Sequence, residues 1–193
     1  GDHRDLHSFP TRRSSDLVEE YFGDGSQFGI RARYAYEEEL LGTAGAIKNA
    51  GNYVTDEQFF VLNGDTFYQM DFGDLSRIQQ EKNLEMALVL RGVPDISRYG
   101  AARLTDGLLT AFNEKNGNTG AGTINGGVYL MKRALLDEIP EGKVSLENEC
   151  IPRWMQEGRR LGGIVNDGYF IDIGVPEDYF RFQEDVRKGD ITW

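Results

Sequence analysis

The chain has 193 residues with 21 Lys and Arg against 32 Asp and Glu, a net charge of −11. That balance argues against a nucleic-acid binder, whose affinity rests on neutralising phosphates with basic side chains. A single cysteine, Cys150, rules out an internal disulfide and fits a reducing compartment such as the cytoplasm. No apolar run approaches the roughly 18 residues of a membrane span.

Residues 1–17 carry no apolar period, no cap leading into a periodic run and no targeting pattern. They back-translate, one codon per residue, into a widely used short-read sequencing adapter. The expectation is therefore a non-native disordered tail over 1–17 and one domain over 18–193. The tail's three basic and three acidic residues cancel, so the domain keeps the whole charge of −11. Both histidines, His3 and His7, fall in the tail. A histidine general base, a histidine triad and histidine-ligated zinc are thereby excluded from the domain.

Val18 to Gly29 is turn-rich, and Ile30 to Tyr36 alternates like a strand. Thr43 is placed to cap a short helix running to about Ala50. Phe59 to Asn63 reads as a strand buried on both faces, ending in Asn63-Gly64-Asp65. Taken alone, that ending is either a turn with Asp65 bonding its own backbone or a ligand-binding acid at a strand's carboxyl end. Phe72 to Lys82 follows as a helix and Met86 to Arg91 as another buried strand. This strand-helix-strand rhythm predicts a layered α/β domain.

In the second half, Tyr99 to Leu104 and Leu108 to Asn113 flank Asp106-Gly107 as a hairpin. Lys115 to Gly122 is a glycine-rich loop, and Ile124 to Met131 is a strand with two glycines at its entrance, a mark of close backbone approach. Ser145 is the expected N-cap of a helix to Gln156, with Glu147 and Glu149 favourably placed near its positive end. Leu161 to Val165 and Tyr169 to Ile173 read as short strands, and the last helix opens at Pro176-Glu177-Asp178 and closes at Arg187-Lys188.

Five motifs then occur in a telling order: Leu41-Gly42-Thr43-Ala44-Gly45-Ala46, Val61-Leu62-Asn63-Gly64-Asp65-Thr66, Phe112-Asn113-Glu114-Lys115, Asn125-Gly126-Gly127-Val128-Tyr129, and Asp172-Ile173-Gly174-Val175-Pro176-Glu177-Asp178-Tyr179. Together they resemble the sugar-1-phosphate nucleotidyltransferases over Val18 to Asp185. Arg98-Tyr99-Gly100 and Gly168-Tyr169-Phe170-Ile171-Asp172-Ile173-Gly174 look most like the guanylyltransferases acting on D-glycero-D-manno-heptose 1-phosphate. The resemblance implies a Rossmann-like, three-layer, GT-A-like α/β fold with a mixed, mostly parallel central sheet. It implies Mg²⁺ as cofactor, with a nucleoside triphosphate and a sugar 1-phosphate as partners.

By position in the motifs, Asp65 and Asp172 match metal-binding, catalytic acids and Lys115 a catalytic cation near the sugar phosphate. Gly42, Thr43, Asn63 and Gly64 match nucleotide-binding positions, with Gly42 approaching the base. Gly100, Glu114 and Asn125 match sugar-binding ones. Glu114-Lys115 could otherwise be an exposed, charged hairpin end, and Tyr129 is expected to pack in the core. Two features depart from the pattern. Leu40 stands where relatives carry Pro, and the family's opening strand with its Gly-Gly-x-Gly-Thr-Arg loop, which would cradle a triphosphate, is not found. The chain as written is therefore expected to lack appreciable transferase activity. A uridylyl- or thymidylyltransferase, or a non-catalytic sugar-nucleotide-binding relative, are the alternatives.

Overall fold

The computed structural model describes residues 11–97, 100–113 and 119–191, with side chains from Leu17 onward. Helix α1 spans Thr11–Phe22, so helical turns run through the point where a tail was expected to give way to a turn-rich loop. No glycine or proline interrupts residues 11–22, and nothing else in them breaks a helix. The helix packs mainly locally. Leu17 and Tyr21 are exposed, and Tyr21 stacks on Phe28 with ring centroids 5.6 Å apart.

Residues 30–36, expected as a strand, are extended but join no ladder among the described residues. Side chains hold their carbonyls instead: the Tyr53 hydroxyl donates to the Tyr34 carbonyl and the Asn49 carboxamide to that of Tyr36. The remaining elements are α2 (Gly42–Ala50), β1 (Gln58–Leu62), β2 (Thr66–Tyr68), α3 (Phe72–Glu81), β3 (Met86–Val93), β4 (Ala101–Thr105), β5 (Leu108–Asn113), β6 (Gly122–Lys132), α4 (Ala134–Glu138), α5 (Ile151–Gln156), β7 (Leu161–Val165), β8 (Phe170–Asp172) and α6 (Pro176–Lys188).

Six strands form a mixed sheet in the order β1-β6-β3-β7-β5-β4. Its parallel pairing is β3 with β7; the long strand β6 lies antiparallel between β1 and β3, so the parallel share is smaller than expected. β2 and β8 form a separate two-stranded ladder.

β3 shows why the sheet is covered on both sides. Met86, Leu88 and Leu90 point into a core shared with Ala44, Leu135, Ile139 and Trp154, whereas Ala87 and Val89 point into one with Leu75, Leu84 and Tyr68. Three layers result. Each fully buried Leu contributes roughly 1.5–3 kcal/mol to that arrangement.

β1 differs from expectation. It is an edge strand among the described residues, not one buried on both faces: Phe59 and Val61 pack on the core while Phe60 and Leu62 are exposed. An all-apolar run hides the period of two, because inward and outward residues share one chemistry. A cleft of about 780 Å³ lies along this strand, lined by Arg31, Arg33, Ile47, Tyr53, Phe59 and Val61 among others.

The hairpin between β4 and β5 turns at Asp106-Gly107, both at positive φ (53° and 77°) as a tight turn requires. Ser145 caps the next helical stretch, its hydroxyl accepting from the Asn148 N–H at 3.1 Å. The first turn, Leu146–Cys150, is π-helical before α5 begins, with the Cys150 N–H donating five residues back to Ser145.

Candidate active site

β1 ends at Leu62, and Asn63-Gly64-Asp65 carries the chain over to β2. The β2–β8 ladder then decides the geometry. Thr66 faces Asp172, and the Ile173 N–H donates to the Asp65 carbonyl at 2.8 Å. Two acids far apart in sequence thus become neighbours at a strand end. The Asp65 Oδ2 and Asp172 Oδ1 atoms lie 3.7 and 2.9 Å from the point where a Cβ on Gly174 would sit. Asp172 Oδ1 also accepts from the Gly174 N–H at 2.8 Å, which fixes its orientation.

Asn63 and Gly64 belong to the same corner. The Asn63 N–H donates to the Gly127 carbonyl at 2.9 Å, so the middle of β6 abuts the end of β1. Asn125 lies two residues earlier on β6, half-buried. Ala101 faces Ile124, which puts Gly100 level with Asn125 across the sheet. Glu114 and Lys115, and also Arg98 and Tyr99, lie outside the described residues.

Gly42 and Thr43 open α2. Gly42 has φ +70°, and a Cβ there would meet the Val144 carbonyl oxygen at 2.6 Å, so the fold itself demands glycine at this point. The same carbonyl accepts from the Ala44 and Gly45 N–H groups and so closes the helix start. Thr43 does not cap its own helix, contrary to expectation; Leu41 occupies that position without a side-chain bond. The Thr43 hydroxyl instead accepts from the Leu146 N–H at 2.8 Å and donates to Glu147 Oε2 at 2.6 Å.

Glu147 is the residue that the sequence reading passed over, treating it as a dipole charge. Its other oxygen, Oε1, accepts from the Tyr129 hydroxyl at 3.1 Å, and that hydroxyl accepts from the Asn125 carboxamide. Tyr129 is fully buried, as expected, but its hydroxyl joins Asn125 to the start of α2. Burial first, and the Glu147 carboxylate second, push that hydroxyl above the usual tyrosine range, so it stays protonated. A signal was present in the spacing of Ser145 and Glu147 beside a capped turn, but its partners come from other elements.

The donor set at Asp65 and Asp172 is two hard carboxylates, and no group of three or more His, Cys, Asp or Glu side chains suited to a metal exists among the described residues. Two carboxylates suit Mg²⁺, which keeps several waters and takes its other ligands from phosphate oxygens. They do not suit zinc, which takes a closed set of nitrogen and sulfur ligands.

Comparison with known proteins bears on this corner. The sequence profile described as nucleotidyl transferase matches residues 5–189. The chain belongs to the nucleotidyl transferase family. It is 34% identical over 173 residues to a D-glycero-alpha-D-manno-heptose 1-phosphate guanylyltransferase from Aneurinibacillus thermoaerophilus, covering 89% of this chain and 74% of that protein. It is 37% identical over 169 residues to the enzyme of the same name from Campylobacter jejuni, covering 86% and 72%. The crystal structure of HddC from Yersinia pseudotuberculosis superposes with a TM-score of 0.76 at 31% identity, over 89% of this chain and 74% of that one. The α/β nucleotidyltransferase fold with a mixed central sheet is therefore that of the family. No helix among the described residues is long and apolar enough to cross a membrane.

Proposed function

We propose that this protein transfers a nucleotidyl group from a nucleoside triphosphate to a sugar 1-phosphate, giving a nucleotide sugar and pyrophosphate. GTP and a heptose 1-phosphate are the preferred pair, in keeping with the names of the relatives. The carrying observation is the β2–β8 ladder, which brings Asp65 and Asp172 to one corner beside Asn63 and the middle of β6.

The chemistry asks for little from side chains. An oxygen of the sugar phosphate attacks the α-phosphorus, a new P–O bond forms, and the bond from the α-phosphorus to the bridging oxygen breaks as pyrophosphate leaves with its electron pair. The nucleophile is already an anion, so no general base is needed, consistent with a domain sequence from Val18 onward that has no histidine. Positioning and charge neutralisation carry the rate. Asp65 and Asp172 would hold Mg²⁺, which when bound would neutralise phosphate charge. Gly42, Thr43, Asn63 and Gly64 take the nucleotide side in this reading. Gly100, Glu114 and Asn125 take the sugar, and Lys115 its phosphate. The single free thiol, Cys150, is buried and accords with a reducing, cytoplasmic setting.

The test is pyrophosphate release by the gene's product, read from source DNA through the junction at residues 17 and 18, across GTP, UTP, dTTP and CTP with a panel of sugar 1-phosphates. Expected is a preference for GTP with heptose or mannose 1-phosphate, abolished in Asp65→Ala without loss of fold. Turnover that survives Asp65→Ala refutes the assignment.

A further inference from the structure

The hydrogen bonds around Glu147 run in one direction. Asn125 Nδ2 donates to the Tyr129 hydroxyl oxygen, the Tyr129 hydroxyl donates to Glu147 Oε1 at 3.1 Å, and Thr43 and Ser145 donate to Oε2 at 2.6 and 3.3 Å. A carboxylate can only accept. The Tyr129 proton must therefore point at Glu147, which leaves the tyrosine oxygen as an acceptor. That oxygen in turn requires the NH₂ end of the Asn125 carboxamide. The Asn125 Oδ1 is then directed to the Gly127 N–H, from which it accepts at 3.2 Å. The Glu147 charge and the Gly127 N–H thus agree on the polarity of these links, and from opposite sides they set which end of Asn125 faces which neighbour.

We infer that Glu147 is a positioning residue: through Tyr129 it fixes the orientation of the Asn125 carboxamide, so that Asn125 has a remaining N–H to present to a sugar phosphate, and through Thr43 it ties that orientation to the turn opening α2. The role of Asn125 toward a sugar rests on the function proposed above; the orientation itself does not. The geometry supports a direct physical link between the two halves of the site, because Thr43 and Glu147 are 104 residues apart in sequence yet share a proton. Tyr129 carries the link without exposure, being fully buried. Around the buried Tyr129 hydroxyl, low polarity strengthens the bonds and makes a reversed one costly.

Glutamine at position 147 removes the direction while keeping the shape. Where its NH₂ donates to the Tyr129 oxygen, the tyrosine proton turns away from position 147 and toward Asn125, in competition with the Gly127 N–H that holds the Asn125 Oδ1 at 3.2 Å. The experiment is solution NMR of the 15N-labelled chain. In the unaltered protein the Tyr129 hydroxyl proton gives a slowly exchanging resonance with cross-peaks to the Asn125 side-chain NH₂. Its absence overturns the inference, with no variant needed. In Glu147→Gln the hydroxyl resonance shifts and those cross-peaks weaken; a spectrum identical to the parent's overturns it equally. Tyr129→Phe, which keeps the ring and removes the link, is expected to release the Asn125 NH₂ to fast exchange, and an unchanged NH₂ pair there contradicts the relay.

Kinetics on the gene's product then separates positioning from packing. Glu147→Gln raises KM for the sugar phosphate about tenfold, the order expected when a binding group is misplaced. Asn125→Ala combined with Glu147→Gln costs no more than Asn125→Ala alone, because the second change acts only through the first. Additive losses mean that Glu147 acts elsewhere. If the NMR relay is present while the product neither binds nor turns over any nucleotide, the proposed function has failed and the orientation stands.

Discussion

Asn63 and Gly127 interlock: the Asn63 N–H donates to the Gly127 carbonyl at 2.9 Å, and the Asn63 carboxamide nitrogen lies 2.9 Å from where a Gly127 Cβ would sit. Gly127 has φ +72°, a region other residues avoid. Gly127→Ala is therefore expected to destabilise by about 1–3 kcal/mol through strain and contact together. Urea unfolding measures it. Adding Asn63→Ala removes the contact but not the strain, so it should recover part of the loss; complete recovery means that the backbone was never strained.

The carboxylate pair predicts a dissociation of stability from activity. Asp65 is exposed and Asp172 half-buried. With two like charges at one corner, Asp65→Asn or Asp172→Asn should alter stability by less than about 1 kcal/mol. In the gene's product each should lower pyrophosphate release at least 100-fold, the scale of losing electrostatic stabilisation at a reacting centre. The unaltered chain should also gain thermal stability with Mg²⁺, by preferential binding to the folded state. A thermal shift of equal size in both variants removes the acids from the metal site.

Among the described residues no strand pairs with the outer edge of β1, and with Phe60 and Leu62 exposed and no charge, proline or bulge on the strand to protect that edge, self-association is predicted. Leu62→Lys should shift sedimentation toward monomer at concentrations where the parent chain associates. Identical sedimentation of the two clears this edge of any role.

Alkaline pH gives a fourth test. Burial raises Tyr68 to about 12, and its hydroxyl donates to the Asn166 carbonyl at 2.6 Å. Burial, then a hydrogen bond to Asp185, likewise raises Tyr169 to about 12. In the unfolded chain both ionise near 10. The folded form therefore retains protons that the unfolded form releases, so the contribution is complete below about pH 10 and fades as pH climbs to about 12. Urea midpoints at pH 9 and pH 11 should differ more for the parent than for Tyr68→Phe. Equal differences leave Tyr68 with no part in the alkaline transition.

Much of the layered order could be read from the chain because its signals are local. The last helix opens with Pro176 and ends with Arg187-Lys188, and it was found there. Met86 to Arg91 is apolar up to Leu90, and those five residues are buried on both faces while Arg91 is half-buried. Phe59 to Leu62 has the same chemistry but lies at an edge, because strand neighbours are chosen by contacts far along the chain. The same limit explains residues 30–36, whose alternation is real but which find no ladder among the described residues. At the candidate site, Asp65 and Asp172 could be found as acids at strand ends. Their proximity is absent from any local pattern and was implied only by the family resemblance, since it depends on three residue pairs between β2 and β8. Thr43 looked like a cap because Thr commonly is one; that its hydroxyl serves Glu147 is a property of packing.

The distance along the chain between Thr43 and Glu147, 104 residues, also has a meaning in time. A ribosome delivers the chain from its N-terminus, at about 5–20 residues per second. The turn carrying Thr43 and the strand end carrying Asp65 emerge early, whereas Glu147 and Asp172 follow many seconds later. Until then neither the hydrogen-bond relay nor the acid pair exists. The two arrangements close only when β8 pairs with β2 and the segment carrying Glu147 packs against the turn that carries Thr43.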